Sequence, residues 1–452
     1  MFVDREYELE TLEREYGTEG FRFTVVYGRR RVGKTTLIRK FVENKKHIYF
    51  LATLESEPLV LEKFQRLVAE AIADPLLAET KISDFSTLFR YLSRLPERFV
   101  VVIDEFQYLV RVNPALPSLL QAVIDTAWKS ANIHLILCGS IVSMMYKEVL
   151  SYASPLYGRR TSQLKMGPLP FPSLGAFFPD FDEKRLIEVY AVFGGIPKYL
   201  EMVRSGESVE AMVVTNVLEK DAYLYNEPYF LLQDEVNETL TYFSILETIA
   251  GGAHKVGEIA SRLGKRSNDI TSFMQKLIDL EILEKEIPVT EKNPAKSKKG
   301  LYFIKDHFLR FWFRYLFPYR SQLEIGNTAY VRNIFRESFE GFVANAYEKL
   351  AIEFVLRRFG VEKCGRWWNG KEEIDLVGFS REWVIFGEVK WRNRVMGPEV
   401  LEALMKKSEK VEVGDRERRY ILFSKSGFDE RVKRYAKERG VILVEGLQEV
   451  SI

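Results

Sequence analysis

Gly28-Arg29-Arg30-Arg31-Val32-Gly33-Lys34-Thr35 fits the pattern G-x-x-x-x-G-K-[ST]. Phe23-Thr24-Val25-Val26-Tyr27 before it reads as a buried strand, and Thr36-Leu37-Ile38-Arg39-Lys40-Phe41 after it reads as a helix. Strand, glycine loop and helix together form a cradle for phosphate. Glycines let the backbone turn tightly and aim N–H groups at phosphate oxygens. The helix N-terminus that carries Thr35 and Thr36 adds partial positive charge. Lys34 would reach the β- and γ-phosphates, and the Thr35 hydroxyl would hold Mg²⁺. ATP or ADP is therefore the expected ligand, with Mg²⁺.

Working outward, residues 1–165 alternate strand and helix, as in a parallel α/β sheet. Apolar strands are expected at Thr24–Tyr27, His47–Leu51, Phe99–Ile103 and His134–Cys138, with a helix over Leu59–Ala73. The strand beginning at Phe99 ends in Asp104-Glu105. Charge at a buried strand end needs a partner, and Mg²⁺ supplies one. Asp104 would hold the metal through water, and Glu105 would polarise the attacking water. Ser140 ends the next strand and reads either as a γ-phosphate sensor or as a turn serine.

Residues 166–235 read as a small helical lid, with helical spacing at Leu186–Val192 and Val213–Leu224. Residues 236–306 read as helix, helix, helix, hairpin, the order of a winged helix. Its helices are expected at Thr239–Ala250, Val256–Leu263 and Asn268–Leu280, the third capped by Ser267. Strands Leu283–Val289 and Gly300–Ile304 flank a wing loop that carries Lys292, Lys296, Lys298 and Lys299. These lysines would suit DNA phosphates. The third helix carries Asp269 and Asp279 and only Lys276 as a base, a poor recognition face. An aromatic helix, His307–Phe317, spans a connecting stretch, 307–330, before a final domain at 331–452.

In that final domain, Glu373-Ile374-Asp375-Leu376-Val377-Gly378-Phe379 and Trp383-Val384-Ile385-Phe386-Gly387-Glu388-Val389-Lys390-Trp391 read as a hairpin. Glu388 and Lys390 leave the same face of their strand. If the turn centres between Arg381 and Glu382, Asp375 lies opposite Glu388. Two facing carboxylates can bind a divalent metal, and a lysine beside them can stabilise charge developing on phosphate. Upstream, Phe342–Leu356 has helical spacing and offers Glu348. Arg392, Arg394, Lys406, Lys407 and Lys410 follow, either a DNA-facing edge or an ordinary charged surface.

Composition sets the outer bounds. The 452 residues exceed one core. A net charge of +2 carries no global polyanion signature. Cys138 and Cys364 form no disulfide framework, and four histidines with no C-x-x-C leave no zinc signature. The charged start, Met1–Glu6, argues against a signal peptide. The apolar run Ile133–Met145 falls short of the roughly 20 residues a membrane span needs. A soluble, cytoplasmic protein without membrane partners is expected.

The chain resembles the archaeal ATPase family, in the STAND branch of P-loop ATPases. The resemblance rests on Phe2-Val3-Asp4-Arg5-Glu6-Tyr7-Glu8-Leu9, the glycine loop, and Val102-Ile103-Asp104-Glu105-Phe106-Gln107-Tyr108. It rests also on Tyr157-Gly158-Arg159-Arg160 and Gly194-Gly195-Ile196-Pro197-Lys198-Tyr199-Leu200. It covers roughly residues 1–300, and it implies ATP hydrolysis, a start segment in the nucleotide pocket, and Pro197 against the nucleotide. Arg159 and Arg160 would contact phosphate or, in a homo-oligomer, a neighbouring subunit; a surface salt bridge and a turn proline are the plainer readings. The set Glu348, Asp375, Glu388 and Lys390 resembles the PD-(D/E)XK nucleases, and the nuclease-like domain fused to archaeal ATPases more closely. No proline precedes Asp375, a departure from the full motif.

The expected fold is thus α/β: a P-loop NTPase parallel sheet with a helical lid, a winged helix, and an α/β nuclease-like domain. The expected function is ATP hydrolysis coupled to a DNA-binding or DNA-cleaving C-terminal domain. The alternative is a nucleotide-gated switch or scaffold whose C-terminal domain does not cut.

Overall fold

The computed structural model describes residues 2–95, 97–236 and 238–451. It divides into two compact units, Met1–Leu169 with Ile196–Lys198 and Gln233–Asn237, and the remainder.

The first unit is built on five strands, β1 (Arg22–Tyr27), β2 (His47–Leu51), β3 (Phe99–Asp104), β4 (Ile133–Gly139) and β5 (Ser162–Lys165). Their order across the sheet is β2-β3-β4-β1-β5, and every pairing is parallel. Every residue of β3 and β4 is buried, as helices on both faces of a parallel sheet require. One face is filled by an aromatic series. Phe50 stacks on Phe64 at 4.7 Å, Phe64 meets Phe89 edge-on at 5.8 Å, and Phe89 meets Trp128 at 5.7 Å. The short, half-exposed edge strand β5 has no apolar run and escaped the sequence reading.

In the second unit, helices Thr239–Ala250, Val256–Arg262 and Ser267–Asp279 precede an antiparallel hairpin, β6 (Leu283–Glu286) and β7 (Leu301–Ile304). The third helix is capped at Arg266, not Ser267, because the Asp269 carboxylate accepts from the Arg266 N–H at 3.3 Å. The helix expected over Val213–Leu224 is shorter. It runs over Val209–Val213 and closes with a wide turn at Val214–Leu218, where Asn216 Nδ2 donates to the Met212 and Met202 carbonyls.

A six-stranded mixed sheet follows, made of β8 (Lys363–Trp368), β9 (Glu373–Phe379), β10 (Trp383–Lys390), β11 (Glu417–Ser424), β12 (Ile442–Glu445) and β13 (Gln448–Glu449). Its order is β13-β12-β11-β10-β9-β8. A 32-residue helix, Thr328–Phe359, covers one face. It starts ahead of the boundary expected at residue 331.

The segment expected as a lid is shared out differently from the sequence reading. Ile196–Lys198 cluster with the first unit, whereas helix Glu183–Phe193 lies in the second. Ile187 and Ala191 of that helix join one core with Val343, Tyr347 and Leu350 of the long helix and with Leu376 and Phe423 of the sheet. The aromatic helix, His307–Tyr315, seals the neighbouring joint. Trp312 packs on Tyr229, Phe243 and Phe317, and its Nε1 donates to the Tyr225 carbonyl at 2.9 Å.

Candidate functional site

The glycine loop runs from β1 into helix Lys34–Val42. Gly28 has φ +151°, and a Cβ there would sit 2.1 Å from the Met166 carbonyl oxygen, so no side chain fits. That carbonyl is fixed because Met166 continues the β1–β5 ladder, its N–H donating to Tyr27 at 2.7 Å. Gly33 has φ +96° and opens the helix. Lys34 is buried, and its Nζ donates to the carbonyls of Gly28 and Arg29, both at 2.8 Å. Burial lowers its pKa, with Glu105 and Asp104 among the charges opposing that. Arg30 donates to the Tyr108 hydroxyl at 2.6 Å and forms an ion pair with Asp234. Arg31 has φ +72° and Val32 is buried; Thr35 and Thr36 are exposed at the helix start.

Asp104 and Glu105 separate at the end of β3. Thr35 Oγ1 donates to Asp104 Oδ2 at 3.0 Å, and the Tyr49 hydroxyl donates to the same oxygen. A hydroxyl and a carboxylate this close form a hard-oxygen pair that fits Mg²⁺. Glu105 turns away through a left-handed backbone, φ +56°, uncommon for a residue with a side chain. Its Oε2 accepts from Ser140 Oγ at 2.7 Å, from the Ser140 N–H at 3.3 Å, and from Gln107 Nε2. Ser140 is therefore the partner of Glu105. Gln107 Oε1 is buried beside them with no hydrogen-bond partner among the described residues.

Sequence reasoning missed Tyr49 and Met166 as site residues, and it placed Arg5 and Gln107 only within longer segments without giving either a role. Arg5 is buried and donates to the Val32 carbonyl at 3.2 Å and to Gly167 at 2.6 Å, tying the start segment to the loop. Tyr49 carries no motif, since only the β2–β3 pairing brings it to Asp104. Arg159 is held in a fork with Asp125, at 2.8 and 2.7 Å, the plainer of its two readings. Arg160 lies over the Tyr157 ring at 5.8 Å. Pro197 opens the short helix Pro197–Leu200.

The second constellation sits on β9 and β10. Their ladder pairs Val384 with Phe379 and ends at Gly387 with Leu376. Asp375 and Glu388 occupy the next step, both buried. Asp375 Oδ2 accepts from the Val389 N–H at 2.9 Å. Lys390 Nζ lies 3.4 Å from Asp375 Oδ2 and 2.7 Å from Glu388 Oε1, and Lys407 Nζ lies 3.3 Å from Glu388 Oε2. Burial opposes the Lys390 charge, but the two carboxylates outweigh it and raise its pKa. Two ammoniums, Lys390 and Lys407, thus balance the two carboxylates, whose oxygens are the hard donors a divalent cation takes.

Glu348 approaches from the long helix but stops beside Arg366, whose Nε is 4.0 Å away. Among the described residues no three His, Cys, Asp or Glu side chains are grouped to hold a metal. Burial first, then the Asp375 charge, pushes the Glu348 carboxyl up to about 7. Arg366 also pairs with Glu286 of β6 and with Glu373, each at 3.2 Å. The Val289 N–H donates to the Arg366 carbonyl at 2.9 Å, so the loop after β6 docks on the edge strand β8. Of the lysines expected to face DNA, Lys299 pairs with Glu291, while Lys292, Lys296 and Lys298 are exposed. Lys410 pairs with Glu372; Arg394 and Lys406 are exposed.

A parallel sheet with a glycine-rich phosphate cradle after β1 and acidic residues ending β3 defines a P-loop ATPase-like protein. Residues 2–203 match the family described as an ATPase domain predominantly from Archaea. Residues 312–410 match a second family, described as archaea bacterial proteins of unknown function. An uncharacterised protein of Methanocaldococcus jannaschii is 38% identical over 467 aligned residues, covering 100% of both chains. An uncharacterised ATP-binding protein of Pyrococcus horikoshii is 27% identical over 239 residues, 44% of this chain and 73% of that one. The fold is similar to the Walker-type ATPase of Pyrococcus abyssi, with TM-score 0.52 and 22% identity over 69% of this chain and 96% of that chain. The chain belongs to the archaeal ATPase family, with the second family's domain at its C-terminal side. Among the described residues no helix is long and apolar enough to cross a membrane.

Proposed function

We propose that this protein binds and hydrolyses ATP with Mg²⁺ and couples that cycle to a metal-dependent site that acts on DNA in its C-terminal domain. The observation that carries the first half is the 3.0 Å contact between Thr35 and Asp104, which joins two motifs 69 positions apart. Mg²⁺ held by that pair would neutralise charge on the terminal phosphates. Lys34 would exchange the Gly28 and Arg29 carbonyls for β- and γ-phosphate oxygens. Glu105, oriented by Ser140 and Gln107, would polarise the attacking water. A change at the γ-phosphate then reaches Glu105 directly, because Ser140 and Gln107 share its oxygen.

The second half rests on the convergence of Asp375, Glu388 and Lys390. The carboxylates would bind a divalent cation, and Lys390 would stabilise charge on a scissile phosphate. The loop after β6 is docked on β8, which favours a relay role for the winged helix over a free DNA-reading wing. The deciding experiment is cleavage of varied DNA substrates with Mg²⁺ or Mn²⁺, with and without ATP, alongside ATP turnover. Turnover without cleavage under every condition favours the second reading, a nucleotide-gated switch. The ion pairs that Lys390 and Lys407 make with Glu388 are the observation behind that alternative.

A further inference from the structure

A cavity of about 440 Å³ opens where β7, the aromatic helix and the long helix meet, and it shares no residue with either site above. Mononucleotide-sized ligands occupy pockets of roughly 300 Å³ and upward. The aromatic helix lines it with Arg310 and Arg314, one turn apart and so on one face. Neither guanidinium has an ion-pair partner among the described residues. Arg310 donates to the Asn345 side chain and, at 3.4 Å, to the Phe342 carbonyl, and lies over the Phe342 ring at 4.4 Å. Its Nε is buried with no hydrogen-bond partner among the described residues. Burial lowers its pKa to about 10, against the charges of Glu284 and Glu348, neither of which is within ion-pair distance. Glu337 is the one acid among the described residues lining the pocket, and it is exposed.

Two further features suit a planar anion. His254 stacks on Phe303, with centroids 4.3 Å apart and planes 29° from parallel, giving one wall a flat π surface. Gly341 lies inside the 32-residue helix and lines the cavity, and a Cβ there would meet nothing within 4 Å. A helix-interior glycine costs about 1 kcal/mol relative to alanine. No positive φ and no crowding in the chain requires this one, so it keeps the helix backbone open on the cavity side.

We propose that this cavity binds a mononucleotide, its phosphate monoester on Arg310 and Arg314 and its ring against the His254–Phe303 wall. The ligand would bridge the winged helix and the helix that carries Glu348, as a second nucleotide site separate from the glycine loop. Two sources share this chemistry, a free mononucleotide and the 5′-phosphorylated end of a nucleic-acid strand.

The test is calorimetric titration of the full chain carrying Lys34→Ala, without divalent metal, so that the glycine loop does not dominate. The probes are AMP, adenosine, inorganic phosphate and a 5′-phosphorylated trinucleotide. AMP is expected to bind at least about tenfold more tightly than adenosine. Arg314→Ala and Gly341→Leu should each weaken AMP by about tenfold or more, the first by removing charge and the second by filling the space. Arg314 is exposed, and leucine is a better helix former than glycine, so neither variant should lower the melting temperature. Tight AMP binding assigns the free nucleotide as the source, and tight trinucleotide binding with weak AMP assigns the strand end. Neither AMP nor the trinucleotide binding better than adenosine, or binding unchanged in both variants, overturns the proposal.

Discussion

Asp104 and Glu105 are neighbours in sequence and acquire different partners, whereas Asp375 and Glu388 are remote in sequence and share one. Successive residues of a strand leave on opposite faces. Asp104 therefore meets Thr35 and Tyr49, while Glu105, turned by its left-handed backbone, meets Ser140 and Gln107. An antiparallel pair does the reverse and brings distant positions onto one face, so both C-terminal carboxylates reach the Lys390 ammonium. Division of labour between two acids comes from adjacency in the first site. A shared charge comes from pairing in the second.

This contrast can be broken by substitution. Lys34→Ala is expected to have the largest effect, lowering ATP turnover by about a hundredfold or more because it removes the charge aimed at the terminal phosphates. Turnover within a few-fold of the parent would remove the glycine loop from the reaction. Glu105→Gln should keep ATP affinity and slow hydrolysis by about a hundredfold, measured as single-turnover rate against nucleotide binding. Equal losses in Asp104→Asn and Glu105→Gln binding would erase the division of labour.

Asp375→Ala with Glu388→Ala should abolish Mn²⁺ binding at the C-terminal site, and DNA cleavage with it. ATP turnover should stay within about twofold, since the sites share no residues. Mn²⁺ titration followed by spin resonance reads this directly, and retained Mn²⁺ binding would place the metal elsewhere.

Glu348 sharpens the comparison through pH. Its carboxyl rises from 4.5 to about 7 in the fold. The folded chain thus holds that proton more tightly than the unfolded one, so this stabilisation is complete below pH 4.5 and is lost as pH climbs through 7. Glu348→Gln should flatten the decline in melting temperature between pH 5 and 8 and stabilise the protein at pH 8 by on the order of 2 kcal/mol. Parallel pH profiles for parent and variant would show that Glu348 is not the group that titrates. The smallest effect is expected at Arg159→Ala. Its exposed pairing with Asp125 is worth under about 1 kcal/mol, and turnover should be unchanged. A large loss of turnover restricted to high protein concentration would instead reveal Arg159 acting on a neighbouring subunit.

Wherever the physics is local, the sequence was sufficient. The glycine loop is contiguous, so its residue types and spacing already state its geometry, and φ at Gly28 and Gly33 follows from what only glycine adopts. The strands β1 to β4 are largely apolar runs, and β3 and β4, buried throughout, are the plainest of them. The register of Asp375 against Glu388 was legible too, because a tight hairpin turn fixes every later pair. β5 was not legible, since a short edge strand takes its stability from β1 rather than from its own side chains. Tyr49 and Met166 reach the nucleotide site only through strand order or loop return, which no motif encodes. Glu348 was found as a helical acid, but its attachment to Arg366, and through Arg366 to Glu286, depends on the packing of three elements.

The sequence by itself determined the phosphate cradle, the acidic strand end and the carboxylate hairpin, because each is specified by neighbours along the chain. Only the tertiary structure decided that helix Glu183–Phe193 is core to the C-terminal sheet, that the loop after β6 docks on β8, and that Arg310 and Arg314 face one cavity. Those outcomes are set by which buried apolar faces meet. That is a property of the whole chain, and it leaves no periodic or spaced signature in any one segment.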